Sequence, residues 1–193
     1  MGKLDREMKD NWSNQSPLGS NWLGALLMSR EKYDAQPEKP PVILVVDDNL
    51  PNLELIQAYL EDVDCQIVSA HDGLEALNLV ARKKPDLILL DVMMPKMSGF
   101  EVCRRLKNDP QTSDIPIIMV TALNEFGDIE RGIDSGTDDF VSKPVNRLEL
   151  LTRVRTMLKL KHLTDKLQRT IAYLSEVEKS AQSAISSPPA ESE

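Results

Sequence analysis

Asp86-Leu87-Ile88-Leu89-Leu90-Asp91-Val92-Met93-Met94-Pro95 is the stretch that decides the fold. Leu87 to Leu90 is a continuous apolar run, too short for a helix and lacking the alternation of a half-exposed strand. It reads as a strand buried on both faces, as strands of parallel sheets are. The run ends on a carboxylate, Asp91, and Pro95 forbids the strand from continuing. An acid at the C-terminal end of a buried parallel strand stands where open α/β sheets bind ligands. Taken alone, Asp91 also suits a plain loop or helix cap. The surrounding sequence decides between the two.

The same pattern recurs on both sides. Toward the N-terminus, Val42 to Val46 is another apolar run, and it ends on Asp47 and Asp48. Asn49 is placed to cap a helix over 51–61 that carries Leu53, Ile56 and Leu60 on one face. Residues 66–69 form a short strand. Asp72-Gly73 then turns the chain into a helix with Leu74, Leu77, Leu79 and Val80, stopped by Lys83-Lys84-Pro85. Toward the C-terminus, Ser98 caps a helix with Phe100, Val102, Cys103 and Leu106. Residues 115–120 form a strand that ends on Thr121. A weaker helix over 124–135 is stopped by Gly136. Residues 139–142 form a fifth strand that ends on Lys143-Pro144, and a long helix begins near Asn146. Strands alternating with helices predict βαβ units and a parallel sheet with helices on both faces. The fold class is therefore α/β, a doubly wound five-stranded parallel sheet with an extended C-terminal helix.

Composition agrees with one ordinary domain with tails. The 193 residues are 41% hydrophobic, and the net charge of −8 argues against a nucleic-acid or membrane surface as partner. Cys65 and Cys103 lack neighbours at metal-ligand spacing, which fits two small core residues in a reducing cytoplasm. The apolar run from Trp22 to Met28 is too short for a signal peptide and sits behind a polar leader. It is expected to be a loosely attached tail, or a peptide that docks on a partner or on the domain. His71 and His162 stand alone and are expected on the surface or at caps.

Four strand ends gather polar groups on one edge of the sheet: Asp47 and Asp48, Asp91, Thr121 and Lys143. Three carboxylates at one spot repel one another unless a cation lies between them. Oxygen donors without His or Cys suit Mg²⁺, which keeps waters or phosphate oxygens as further ligands. Thr121 and Lys143 suit an oxyanion, so the site is built for a phosphoryl group. No glycine-rich phosphate loop is present, which argues against a tightly held nucleotide. A carboxylate can itself accept a phosphoryl group and form an acyl phosphate.

Residues 42 to about 160 resemble the receiver domain of two-component response regulators. The matching motifs are Val46-Asp47-Asp48-Asn49, Leu90-Asp91 through Pro95 with Ser98-Gly99, Val120-Thr121-Ala122, and Gly136-x-Asp138-Asp139-Phe140-x-x-Lys143-Pro144. Each is weak alone; together, in order and at strand ends, they are specific. The resemblance implies strand order 2-1-3-4-5. It implies that Asp91 takes a phosphoryl group from a histidine kinase or phosphotransfer protein. It assigns Mg²⁺ to Asp48, Asp91 and the Met93 carbonyl, with Asp47 holding a metal water. Thr121 and Lys143 would bind phosphate oxygens, and Phe140 would swing inward when Thr121 moves. The Lys143–Pro144 peptide is expected to be cis. Met93 and Leu123 are apolar where faster members of the family often carry groups that orient water, so the acyl phosphate is expected to be long-lived.

No DNA-binding output domain is expected, because only about thirty residues follow the receiver. Leu160, Leu163, Leu167, Thr170, Leu174, Val177, Ala181 and Ala184 follow steps of three and four, the pattern of a coiled coil. The expected organisation is a flexible extension over 1–41, a receiver over 42–160, a helical extension over 161–185 and a disordered tail over 186–193. The expected function is a phosphorylation switch, not a metabolic enzyme, with a protein–protein contact as output. Receivers that dimerise through the helix over 124–135, the fifth strand and the last helix resemble this chain at Arg131, Asp139, Glu149 and Arg153. Arg131 would pair with Glu149, and Asp139 with Arg153, across a two-fold axis of the homodimer. The downstream protein target is unknown. The alternative is a fragment of a receiver-containing diguanylate cyclase or hybrid histidine kinase; the low-complexity end favours a natural C-terminus. A degenerate receiver acting only as a scaffold is disfavoured, since every chemical residue is present.

Overall fold

The structure, a computed structural model, describes residues 39–122 and 132–186. Five strands alternate with helices: β1 Val42–Val46, α1 Leu50–Leu60, β2 Gln66–Ala70, α2 Gly73–Arg82, β3 Leu87–Asp91, α3 Gly99–Asn108 and β4 Ile117–Thr121. Helical residues 132–135 (α4), β5 Asp139–Ser142 and α5 Arg147–Ser186 complete the order. The strands form one sheet, β2-β1-β3-β4-β5, and every pairing is parallel. This is the predicted fold class and strand order. The Trp22–Met28 run, Leu123, Arg131, most of the weak helix and the tail over 187–193 lie outside the described residues.

Alternation along each strand builds two cores from one sheet. Leu44, Val46, Ile88, Leu90, Ile117 and Met119 face α2 and α3, meeting Ala76, Val80, Val102, Cys103 and Leu106. Ile43, Val45, Leu87, Leu89, Ile118 and Val120 face α1 and α5, meeting Leu53, Ile56, Leu60, Leu150, Leu151 and Val154. Each fully buried Leu or Ile is worth about 1.5–3 kcal/mol, so the central strands are held from both sides.

Asn49 and Ser98 cap their helices as expected, and Asp72 caps α2 as well. Asn49 Oδ1 accepts the Asn52 N–H, Asp72 Oδ1 the Glu75 N–H, and Ser98 Oγ the Glu101 N–H. In α1 the buried residues are Leu53, Ile56 and Leu60, as predicted. In α2 the inward stripe is Gly73, Ala76 and Val80. Leu74, in the same helix, is exposed, because one helical step of about 100° carries it off the stripe. Strand β4 starts at Ile117 rather than 115, although the Pro116 carbonyl already accepts the Ile88 N–H at 3.0 Å.

Residues Pro40–Leu167 form one compact unit, and Gln168–Ser186 belong to a second. In the first unit α5 buries Leu150, Leu151 and Val154, with Met157 and Leu158 half-buried, while Leu160, Leu163 and Leu167 are each more than half exposed. In the second unit Ile171 and Leu174 are exposed likewise. Among the described residues no helix is long and apolar enough to cross a membrane.

Candidate functional site

Strand register brings the acids together. Val46 lies opposite Leu90 in the β1–β3 ladder, so the next residues, Asp47 and Asp91, stand side by side at the C-terminal edge. Thr121 closes β4 opposite Ser142, and the Lys143 N–H donates to the Thr121 carbonyl at 2.7 Å. Asp47, Asp91 and Thr121 are buried, at 1%, 3% and 2% exposure. Asp48 is exposed at the mouth, as is the side chain of Met93.

Carboxylate oxygens of Asp47, Asp48 and Asp91 lie within 4.8 Å of one another. Lys143 Nζ spans two of these acids, 2.9 Å from Asp47 Oδ2 and 2.8 Å from Asp91 Oδ1. One ammonium against three carboxylates leaves the site strongly negative. At such spacing each pair of like charges repels by about 3–4 kcal/mol at an effective dielectric of about 20. The donors are all hard oxygens, and their excess charge calls for a hard divalent cation; the residues present fit Mg²⁺.

The protonation balance is set by burial. Burial pushes the Asp91 carboxyl above its ordinary value, and Asp47 adds to this. Lys143 and the Met93 backbone N–H pull it down without overcoming the desolvation. Burial alone would depress Lys143, but its hydrogen bonds and attraction to Asp91 and Asp47 win and hold the ammonium above its ordinary value.

The loop after β3 folds back on the end of that strand. The Gly99 N–H donates to the Val92 carbonyl at 3.0 Å. A Cβ at Gly99 would lie 2.2 Å from the Asp91 carbonyl oxygen, so only glycine permits this approach. Phe140 is half-buried against the α2–α3 core, with its ring against Gly132 of α4. The Lys143–Pro144 peptide is cis, as expected.

The residues expected at a dimer face divide. Arg153 Nη1 donates to Asp139 at 2.6 Å, and its Nε and Nη2 to Glu149 at 3.1 and 2.9 Å, all within one chain. Those bonds, Asp139 first, raise the guanidinium above its ordinary value. Arg131 and Leu123 lie outside the described residues.

One residue of the site was missed in the sequence. Asn52 Nδ2 lies 3.1 Å from each oxygen of Asp47. The signal was its place three residues after the cap Asn49, in the helical turn that sits over the end of β1.

Comparison with known proteins agrees with this geometry. The model of the response regulator receiver domain matches residues 43–155. The response regulator PleD of Caulobacter vibrioides is 46% identical over 127 residues, 66% of this chain and 28% of PleD. The DNA-binding dual master transcriptional regulator RpaA of Synechocystis is 43% identical over 119 residues, 62% of this chain and 49% of RpaA. The chain thus spans half or less of the length of these relatives. Among solved structures, a putative response regulator from Chloroflexus aurantiacus superposes with a TM-score of 0.60 at 31% identity, covering 63% of this chain and 99% of that one. The signal receiver domain of a histidine kinase from Syntrophus aciditrophicus gives 0.59 at 35% identity, covering 62% and 90%. The matched stretch runs from β1 into α5 and takes in the whole acidic cluster with Thr121 and Lys143, and this chain belongs to the response regulator receiver domain family.

Proposed function

We propose that the protein is a phosphorylation switch in which Asp91 accepts a phosphoryl group from a histidine kinase or phosphotransfer protein. The observation that carries this reading is the buried Asp91 carboxylate bridged to Asp47 by Lys143, beside the third acid, Asp48. An Asp91 oxygen attacks phosphorus as the donor's phosphorus–nitrogen bond breaks. The donor imidazole leaves with the bonding pair and takes up a proton. Asp48, Asp91 and the Met93 carbonyl would hold Mg²⁺, with Asp47 bonding one of its waters. Bound there, the cation neutralises charge on the transferring group. Lys143 turns its ammonium from the carboxylates to a phosphate oxygen, and the Thr121 hydroxyl bonds another. Phe140 follows Thr121 inward and carries the change to the face of α4, β5 and α5.

The output is a protein contact, a homodimer formed by that face. Asp139 and Arg153 are already paired within the chain, so pairs across a two-fold axis would exchange partners. Exposed pairs are worth about 0–1 kcal/mol, and such an exchange sets register rather than affinity. A second reading places this receiver in a longer diguanylate cyclase or hybrid kinase. That this chain spans half or less of PleD and RpaA supports a longer protein, and the gene sequence beyond Glu193 distinguishes the two.

The test is intact-mass spectrometry after incubation with acetyl phosphate. Wild type gains one phosphoryl group with Mg²⁺ and none in EDTA, and D91N gains none. Equal labelling of D91N, or labelling unchanged in EDTA, contradicts the proposal.

A further inference from the structure

Asp47 sits at 1% exposure and accepts from three residues. The Asn49 N–H reaches Oδ1 at 2.9 Å, Lys143 Nζ reaches Oδ2 at 2.9 Å, and Asn52 Nδ2 stands 3.1 Å from both oxygens. A carboxylate only accepts, so the nitrogen of the Asn52 amide and not its oxygen faces Asp47. The Asn52 backbone N–H already serves the cap of α1 at Asn49, which leaves the side chain to Asp47. Lys143 is a shared donor, 2.8 Å from Asp91.

We propose that Asn52 is a positioning residue for the metal site, holding Asp47 in the orientation needed to bond a metal water. This rests on the functional reading above and adds a residue to it. Asn52 is the side-chain donor to Asp47 that has no second carboxylate to serve. If it is removed, Lys143 is the one side-chain donor left to Asp47 among the described residues, beside the Asn49 N–H, and the ammonium is drawn deeper between Asp47 and Asp91, where it competes with a divalent cation. When Lys143 turns to a phosphoryl group, Asn52 is the side chain that remains on Asp47. Partners of this kind beyond the direct ligands commonly tune metal affinity by about 10–100-fold.

The experiment is a Mg²⁺ titration of the full chain and of N52A and N52H by calorimetry, with the ¹³C signal of the Asp47 carboxylate followed in the metal-free proteins. Alanine is a good helix former, so N52A retains α1; N52H keeps an N–H donor. We expect N52A to bind Mg²⁺ about tenfold more weakly than wild type, with a shifted Asp47 signal, and N52H to regain part of the loss. Affinity of N52A within a factor of two of wild type overturns the inference. Equal weakening in N52A and N52H also overturns it, because the effect would then come from packing. Absence of Mg²⁺ binding in wild type would overturn the functional reading itself, and this inference with it.

Discussion

At Asp91 the demands of folding and of chemistry oppose each other. As the proposed phosphoryl acceptor, its carboxylate is buried at the sheet edge, and burial raises its pKa. Because the folded value lies above the unfolded one, the folded protein binds more protons across that interval. Stability is therefore lost as pH rises from the ordinary carboxylate range through the raised value. Asp91→Asn removes the cost and leaves Lys143 with Asp47. Without metal, D91N is expected to melt a few degrees above wild type at pH 7, with the gap closing below about pH 4. Thermal melts across that range decide it, and a gap independent of pH contradicts the account. The acids were legible in the sequence because each ends an apolar run, where a parallel sheet must open. Asn52 was not, because its role depends on a helix laid over the neighbouring strand end, which no local pattern states.

At the scale of elements, the fold follows from where apolar runs stop. Strands β1 and β3 are uninterrupted apolar segments, and the register between them places Asp47 beside Asp91. The inward face of α1 was readable from its spacing. That of α2 was not read from the sequence, because Gly73 takes the inward position, with Val102 and Met97 pressed against it. The far edge of the sheet has its own tie. Asp114, before β4, bonds Lys84 at 2.5 Å and Lys161 of α5 at 3.0 Å. Burial pushes its carboxyl up, but the two ammonium groups outweigh burial and hold it below its ordinary value. Its contribution is thus present above the unfolded carboxylate pKa and lost as pH falls through the depressed value. Asp114→Asn is expected to cost at most about 1 kcal/mol near neutral pH, less at high salt, since the groups are partly exposed. Urea unfolding of both proteins at pH 7 and pH 3 measures this; a difference that grows on acidification contradicts it.

At the scale of the whole molecule, the prediction concerns assembly. The apolar residues Leu160, Leu163 and Leu167 are exposed on α5, and Arg153 is tied to Asp139 and Glu149 in the single chain. Beryllofluoride, which mimics the acyl phosphate, is expected to convert a monomer to a dimer in sedimentation velocity. A monomer in both states removes the proposed output, and a dimer in both removes its dependence on phosphorylation. In the proposed switch one carboxylate, Asp91, carries the phosphoryl group. An acyl phosphate is reduced by borohydride to an alcohol, which turns the acceptor aspartate into homoserine. Tandem mass spectrometry of the phosphorylated, borohydride-treated protein is predicted to find homoserine at position 91 and nowhere else, and only when Mg²⁺ was present. Homoserine at position 47 or 48, or its absence from a protein that has gained phosphate, would contradict the account.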